Sequence, residues 1–359
     1  MLYHLLYPLK EYFGGFNVIR YLTFRSMLAF IIALLFVLLV QPKFIAWVKS
    51  RRIGQPIRSD GPQTHLGKQG TPTMGGLVVI AAMFVATLLL CDLTNIFVWV
   101  ALGLTTSYAV LGFKDDYAKV TAGNSKGVSA RMKLLWQVFA AAVAVLILML
   151  FAPGFSTQVG FPFFKDATID LGWAFLPFAV FVIVAASNAV NITDGLDGLV
   201  TGPVMTVAMA YGIFAYVTGH SEIASYLQIP YIAGVGDLAI FAAAIVAGGL
   251  GFLWFNAFPA QVFMGDVGSL ALGGALGILA VITKQELLLV VAGGVFVVEA
   301  LSVIAQVASF KLTGKRVFLM APIHHHFELK GLAEPKIIVR CWIISIVLAL
   351  LSVATLKLR

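Results

Sequence analysis

Residues 238–283 read LAIFAAAIVAGGLGFLWFNAFPAQVFMGDVGSLALGGALGILAVIT. Two almost uninterrupted apolar runs, 238–256 and 267–283, flank a turn that ends on Phe263-Met-Gly-Asp266. A helix crosses the hydrocarbon of a bilayer with about 20 apolar residues, so each run has the length of a membrane span. Asp266 is the only acid between Asp237 and Glu286. A lone carboxylate at a membrane boundary, flanked by glycines, reads better as a ligand than as a polar cap. The same pattern of long apolar runs continues in both directions. Further candidate spans lie at 26–48, 73–91, 94–113, 134–152, 173–190, 199–217, 287–310 and 340–356. The fold expected is all-α: a polytopic integral membrane protein of about ten transmembrane helices, forming one transmembrane domain over 1–359.

Composition agrees. Of 359 residues, 60% are apolar and 11% charged, with mean hydropathy +0.98. Soluble domains carry about 25% charged residues, so a soluble enzyme, a disordered tail and a disulfide scaffold are excluded. The glycine pairs Gly248-Gly249, Gly273-Gly274 and Gly293-Gly294 fall inside spans, where small residues let helices approach closely. The N-terminal 20 residues hold Lys10, Glu11 and Arg20 without a small-residue cleavage site, so they do not read as a cleaved signal. Outside the spans, 153–172 is expected to form a short hairpin and 218–237 an interfacial helix.

The formal charge of +8 is unevenly placed. The loops 49–72, 114–133 and 311–339, with Arg340 at their border, hold sixteen lysines and arginines, and Lys43 lies beside them. The opposite side holds seven: Lys10, Arg20, Arg25, Lys165, Lys284, Lys357 and Arg359. Positive loops stay in the cytoplasm, so the basic side is inner and an even number of spans leaves both termini outside. Basic membrane loops account for the charge, and no nucleic-acid partner is expected. Cys91 and Cys341 then lie near opposite faces, too far apart for a disulfide.

The outer loops hold little chemistry, whereas every inner loop holds phosphate- or metal-binding residue types. The first runs His65-Leu-Gly-Lys68-Gln-Gly-Thr-Pro-Thr73-Met-Gly-Gly76 and the second Asp115-Asp116-Tyr-Ala-Lys119. The third runs Asn188-Ala-Val-Asn191-Ile-Thr-Asp194-Gly195-Leu196-Asp197-Gly198. The fourth spans Asn256 to Ser269, and the fifth is Pro322-Ile-His324-His325-His326-Phe-Glu328. Adjacent carboxylates such as Asp115 and Asp116 repel, and a divalent cation relieves that. Oxygen ligands that leave room for substrate phosphates suit Mg²⁺ or Mn²⁺. Asp194 and Asp197 share a face if their segment is helical. Three consecutive histidines cannot all converge on one zinc ion, so phosphate contact is the better reading. Glu299 lies inside a span; it is either functional or paired with Gln306 or a polar residue of a neighbouring span. Glycines 293–294 together with Glu299 suggest that this span is kinked or broken.

Acids, a divalent cation and lysines suit phosphoryl transfer, which depends on positioning and charge neutralisation. At a membrane surface one substrate can be soluble and the other a lipid. The five loops together resemble the polyprenyl-phosphate N-acetylhexosamine-1-phosphate transferase superfamily. The matching pieces are Thr71-Pro-Thr-Met-Gly-Gly76, Asp115-Asp116-Tyr-x-Lys119, Asn188 to Leu199, Phe263-Met-Gly-Asp266 and Pro322-x-His-His-His-Phe-Glu328. The triple-histidine loop resembles the branch of phospho-N-acetylmuramoyl-pentapeptide transferases rather than the N-acetylglucosamine-phosphate branch.

The resemblance implies a bacterial inner-membrane enzyme of peptidoglycan (cell-wall) biosynthesis. It would transfer phospho-MurNAc-pentapeptide from UDP-MurNAc-pentapeptide to undecaprenyl phosphate, giving lipid I and UMP with Mg²⁺ as cofactor. It implies a homodimer and an active site on the cytoplasmic face, with Asp115, Asp116 and Asp266 as metal-binding, catalytic acids and His324 beside them. Asn191, Asp194, Gly195, Leu196, Asp197, Asn256 and Phe263 would form the nucleotide pocket, with Phe263 stacked on uracil. Lys68, Thr73, Lys119 and Lys133 would meet the pyrophosphate and sugar, and His325 and His326 the phosphate or sugar-peptide side. One-step and covalent aspartyl routes are both conceivable. A phosphate monoester with a second pKa near 6 is already mostly dianionic, which leans toward direct attack and leaves Asp115 as an optional base and orienting group. A secondary transporter, a sister transferase using UDP-GlcNAc and a scaffold are the competing classes. Of sixteen acids, eight lie on the inner side, seven on the outer and one in a span, and the motif acids cluster at the inner boundary, against a transport path.

Overall fold

The computed structural model describes residues 1–51, 68, 70–122, 127–162, 164 and 167–357. Arg52, Arg58, His65, Lys126, Lys165 and Arg359 of the readings above lie outside the described residues. The helices are α1 (Leu2–Leu6), α2 (Leu22–Ser50), α3 (Gly76–Leu90), α4 (Ile96–Ala122), α5 (Ala130–Phe151), α6 (Phe175–Thr193), α7 (Thr201–Thr218) and α8 (Ser221–Leu227). They continue as α9 (Leu238–Asn256), α10 (Gly265–Ile282), α11 (Leu288–Ala292), α12 (Gly294–Thr313), α13 (Ile323–Leu329) and α14 (Glu334–Ala354). One antiparallel pair, β1 (Gln158–Gly160) and β2 (Thr168–Asp170), is the hairpin expected after α5. The segment 218–237 holds the seven-residue α8 and a single 3-10 turn at Val235–Asp237, not one continuous interfacial helix.

Among the described residues nine helices are long and apolar enough to cross a membrane, and α3 is a shorter apolar helix of 15 residues. At 1.5 Å per residue α3 reaches about 22 Å, short of the roughly 30 Å hydrocarbon layer. The chain expected to start this helix at 73 does other work. Pro72 O accepts from Phe263 N at 2.8 Å, and Gly75 N and Gly76 N donate to Phe263 O and Met264 O at 2.9 Å. This extended pairing ties the first inner loop to the fourth.

The hub is α10, buried from Val267 to Ile282 and packed against α3, α4, α6 and α7. Its glycines explain the fit: Gly273 meets Ser187 and Gly277 meets Ile183 on α6, while Gly268 meets Gly76 on α3. In α2 the buried positions Arg25, Ala29, Ala33, Val37, Gln41 and Ile45 recur every four residues, so one narrow face packs on α3 and α9. The remaining faces are large, apolar and exposed, as at Met27, Ile31, Leu35 and Leu39, which a lipid environment covers. The break anticipated at 293–294 is present: α11 ends at Ala292 and α12 begins at Gly294. Paired glycines are an ordinary cause of such a break. Cys91 and Cys341 are free.

Candidate active site

Two helices carry the acids to one place. Asp115 and Asp116 lie near the end of α4, and Asp266 lies in the first turn of α10, where the helix dipole favours a carboxylate. Two glycines permit the approach. Gly112 faces the Asp266 carbonyl, and a Cβ there would collide with it. Gly265 has φ +75°, and a side chain on it would meet Asp116 Oδ2. One carboxylate oxygen from each of the three acids can lie within 4.8 Å of the others.

Two lysines neutralise the group. Lys119 Nζ is 2.6 Å from Asp115 Oδ2 and 3.1 Å from Asp266 Oδ2. Lys133, from α5, is 2.8 Å from the same two oxygens. Val128 N donates to Asp115 Oδ1 at 2.7 Å, and Val267 N donates to Asp116 Oδ2 at 3.0 Å. Asn191 Nδ2 donates to Asp266 Oδ1 at 3.0 Å and to Ser269 Oγ at 2.8 Å. The donor set is all oxygen, which fits a hard divalent cation such as Mg²⁺.

The third loop differs from its expected form. α6 ends at Thr193, and 194–200 is a run of turns rather than helix. Asp194 and Asp197 therefore diverge instead of sharing a helical face. Asp194 stays with the acids: burial, then the charges of Asp266 and Asp116, push its carboxyl up to about 8. Asp197 turns to a second cluster, where its Oδ1 is 2.7 Å from Lys68 Nζ and its Oδ2 accepts from Ala260 N at 2.9 Å. Glu334 completes that cluster, 2.6 Å from Lys68 Nζ and accepting from Asp197 N at 3.0 Å. Sequence reading missed Glu334. An acid before proline at the start of α14 satisfies local helix-start rules and gives no sign of a partner 266 positions away.

Asn256 is buried and spent on the fourth loop, donating to Val262 O at 2.9 Å and accepting from Thr201 Oγ1. Thr73 is buried, and Phe263 is half-buried beside it with its backbone paired to Pro72 and Gly75. Leu196 packs with Leu199, Ile337 and Ile338 in a small core under α14. The three histidines go to three partners. His324 Nδ1 is 3.0 Å from Glu299 Oε2, His325 Nδ1 is 3.1 Å from Glu328 Oε2, and His326 Nδ1 accepts from Leu319 N at 3.1 Å. Gln306 is not the partner of Glu299: its amide holds Val317 N, Phe318 N and Phe318 O of the following loop.

Residues 98–284 match the family model described as glycosyl transferase family 4. Over the full length of both chains, the protein is 58% identical to a phospho-N-acetylmuramoyl-pentapeptide-transferase of Geobacter sp. (strain M21). Relatives of the same name are 57% identical in Syntrophus aciditrophicus (strain SB) and 52% in Oleidesulfovibrio alaskensis, again over the full length of both. The chain belongs to the phospho-N-acetylmuramoyl-pentapeptide-transferase family. That membership settles the branch that the triple-histidine loop pointed to, over the sister transferases. For a family named as transferases, the acid–lysine cluster of α4, α5 and α10 is the part of the fold with the chemistry to match.

Proposed function

We propose that this protein transfers phospho-MurNAc-pentapeptide from UDP-MurNAc-pentapeptide to undecaprenyl phosphate, yielding lipid I and UMP. The observation that carries the reading is the meeting of Asp115, Asp116 and Asp266 with Lys119 and Lys133 at 2.6–3.1 Å, in a chain whose full-length relatives bear that transferase's name. The work is done at the cytoplasmic face of a bacterial inner membrane, with both termini outside. In this reading α3 completes a set of ten spans in one transmembrane domain, and the family resemblance adds a homodimer.

Asp115, Asp116 and Asp266 would hold Mg²⁺, which supplies charge neutralisation at the transferring phosphoryl group. Lys119 and Lys133 orient the donor diphosphate as point charges. Asn191 fixes one Asp266 oxygen, so the other keeps its direction. Lys68, Asp197 and Glu334 lie with the fourth loop and form the nucleoside end. A dianionic lipid phosphate attacks the sugar-bound phosphorus and UMP leaves, so one pyrophosphate linkage replaces another. Asp115 is poorly suited to be a nucleophile: Oδ1 accepts from Val128 N and Oδ2 is clamped by two ammoniums. Direct attack with Asp115 as an orienting group follows.

The test is UMP release by purified protein in detergent with undecaprenyl phosphate. The donor is UDP-MurNAc-pentapeptide or UDP-GlcNAc, each with Mg²⁺ or EDTA. Release only with the muramoyl donor and metal is the expected result. Release with UDP-GlcNAc would overturn the substrate assignment, and release in EDTA the metal assignment.

A further inference from the structure

His324 is almost wholly buried, at 1% exposure, yet its Nε2 has no hydrogen-bond partner among the described residues. A buried ring nitrogen left without a partner is costly, so its orientation calls for a reason. The other ring nitrogen supplies part of it. Nδ1 is 3.0 Å from Glu299 Oε2, and the His324 backbone N–H points at the same oxygen from 3.5 Å. Glu299 lies on α12, 2% exposed, one and a half turns past the break at Gly293. A carboxylate at that depth is costly without a charged partner, and His324 is its side-chain partner among the described residues.

The direction of Nε2 supplies the rest. It lies against the Cα of Gly195, where a Cβ would collide with it. Gly195 stands between Asp194, whose carboxyl feels Asp266 and Asp116, and Asp197, which pairs with Lys68. Gly195 is flanked in the chain by the acid that faces the first cluster and, two residues on, by the acid of the second, so a ligand touching both would come near the turn that Nε2 faces. With the carboxylate taking the Nδ1 proton, Nε2 is a bare lone pair in neutral imidazole and an N–H donor in imidazolium. A phosphate oxygen beside Nε2 can accept only from the donor form, and Glu299 faces the other ring nitrogen.

We infer that Glu299 is a positioning residue for His324, holding the imidazole so that Nε2 donates a hydrogen bond to the diphosphate of the nucleotide-sugar donor beside Gly195. This rests on the proposed reaction and adds to it a residue that acts only through another. Carboxylates behind metal-ligating histidines typically contribute about 10–100-fold, and the same scale is expected for a carboxylate behind a phosphate-binding one. Glu299→Gln keeps the size and removes the balancing charge.

The experiment is a double-mutant cycle on the full-length protein: wild type, Glu299→Gln, His324→Gln and the double variant. kcat and KM for UDP-MurNAc-pentapeptide are measured per folded molecule, counted from the monodisperse fraction with a melting transition. Each single change is expected to lower kcat/KM about 10–100-fold, and the double variant to be no worse than His324→Gln. Losses that multiply in the double variant would give Glu299 an independent, structural role and overturn the inference. Wild-type turnover in Glu299→Gln with an impaired His324→Gln would overturn it while leaving the site reading intact. Unchanged turnover in His324→Gln would remove His324 from the site and the inference with it. Should Glu299→Gln not fold, Glu299→Asp, which keeps the charge and shortens the reach, enters the same cycle and is judged by the same outcomes.

Discussion

Lys133→Met separates the two things that the acid cluster can bind. Lys133 Nζ lies 2.8 Å from both Asp115 Oδ2 and Asp266 Oδ2, with its side chain 22% exposed and Asp115 fully buried. At an effective dielectric of 20 each contact is worth about 6 kcal/mol before desolvation is counted. Desolvation takes back most of it, and Lys119 remains on the same two oxygens. A net loss of about 3 kcal/mol is expected in EDTA, at the low end for removing one partner of a buried pair. Methionine keeps the stem and most of the volume, so packing contributes little. Mg²⁺ competes with the ammoniums for those oxygens, so metal stabilises the variant more than the wild type. At a free concentration 100 times its Kd the metal adds about 2.7 kcal/mol to the variant, and the gap closes by the part of this that the wild type, binding more weakly, does not gain. The assay is thermal unfolding of both proteins in detergent over a Mg²⁺ titration. A wide gap in EDTA that closes with Mg²⁺ is expected, together with lower turnover because a phosphate-orienting charge is gone. A gap of constant size at every Mg²⁺ concentration would refute the shared-oxygen reasoning.

Glu334→Gln should free Lys68 from one of its two carboxylates and unseat Asp197 N; the expected result is a donor KM raised several-fold with kcat little changed, read from initial rates. Gly265→Ala forces a side chain onto a φ of +75° and against Asp116; turnover should fall at least 100-fold while the protein stays membrane-inserted, as fractionation and activity together would reveal. Asp194, with its carboxyl near 8 in the fold and about 3.9 unfolded, holds an extra proton between those values when folded. Its raised pKa contributes stability at low pH that is lost as pH rises through the upper value. In EDTA the wild type should therefore melt progressively lower than Asp194→Asn as pH goes from 6 to 9, and parallel melting curves would contradict this.

The membrane fold was legible because it rests on length and apolarity alone, the two quantities that lipid enforces. The break at 293–294 was legible from its glycines. The start of α3 was not, because residues 72–76 bond to 263–264, and nothing local in Thr71-Pro-Thr-Met announces that partner. The acids of the site were legible one by one, each being an unusual charge at a boundary. Their lysines were named as phosphate ligands; the structure places them on Asp115 and Asp266. Local rules misled in two further places. Spacing of three suggested a shared helical face for Asp194 and Asp197, yet the chain turns at Gly195 and Gly198, the latter with φ +76°. Glu299 was visible as an intramembrane acid, but its partner, 25 positions on in another helix, depends on the break before α12 and the docking of α13.

The charges explain why these loops are interdependent. Three clustered carboxylates against two ammoniums leave the central group at a formal charge of −1, and Lys68 against Asp197 and Glu334 leaves the second at −1 as well. A diphosphate would be repelled by both clusters in that state. A divalent cation on the acids would make the central group +1 and free Lys119 and Lys133 to turn toward phosphate. The same count explains the value of a histidine between the clusters. On the inference drawn above, Nε2 of His324 would meet the ligand beside Gly195, with Glu299 holding the other ring nitrogen. Basic surroundings alone would draw in any anion. Lysines already committed to acids respond only to a ligand that brings or meets a metal, and that requirement favours a nucleotide diphosphate over the many simple phosphates of the cytoplasm.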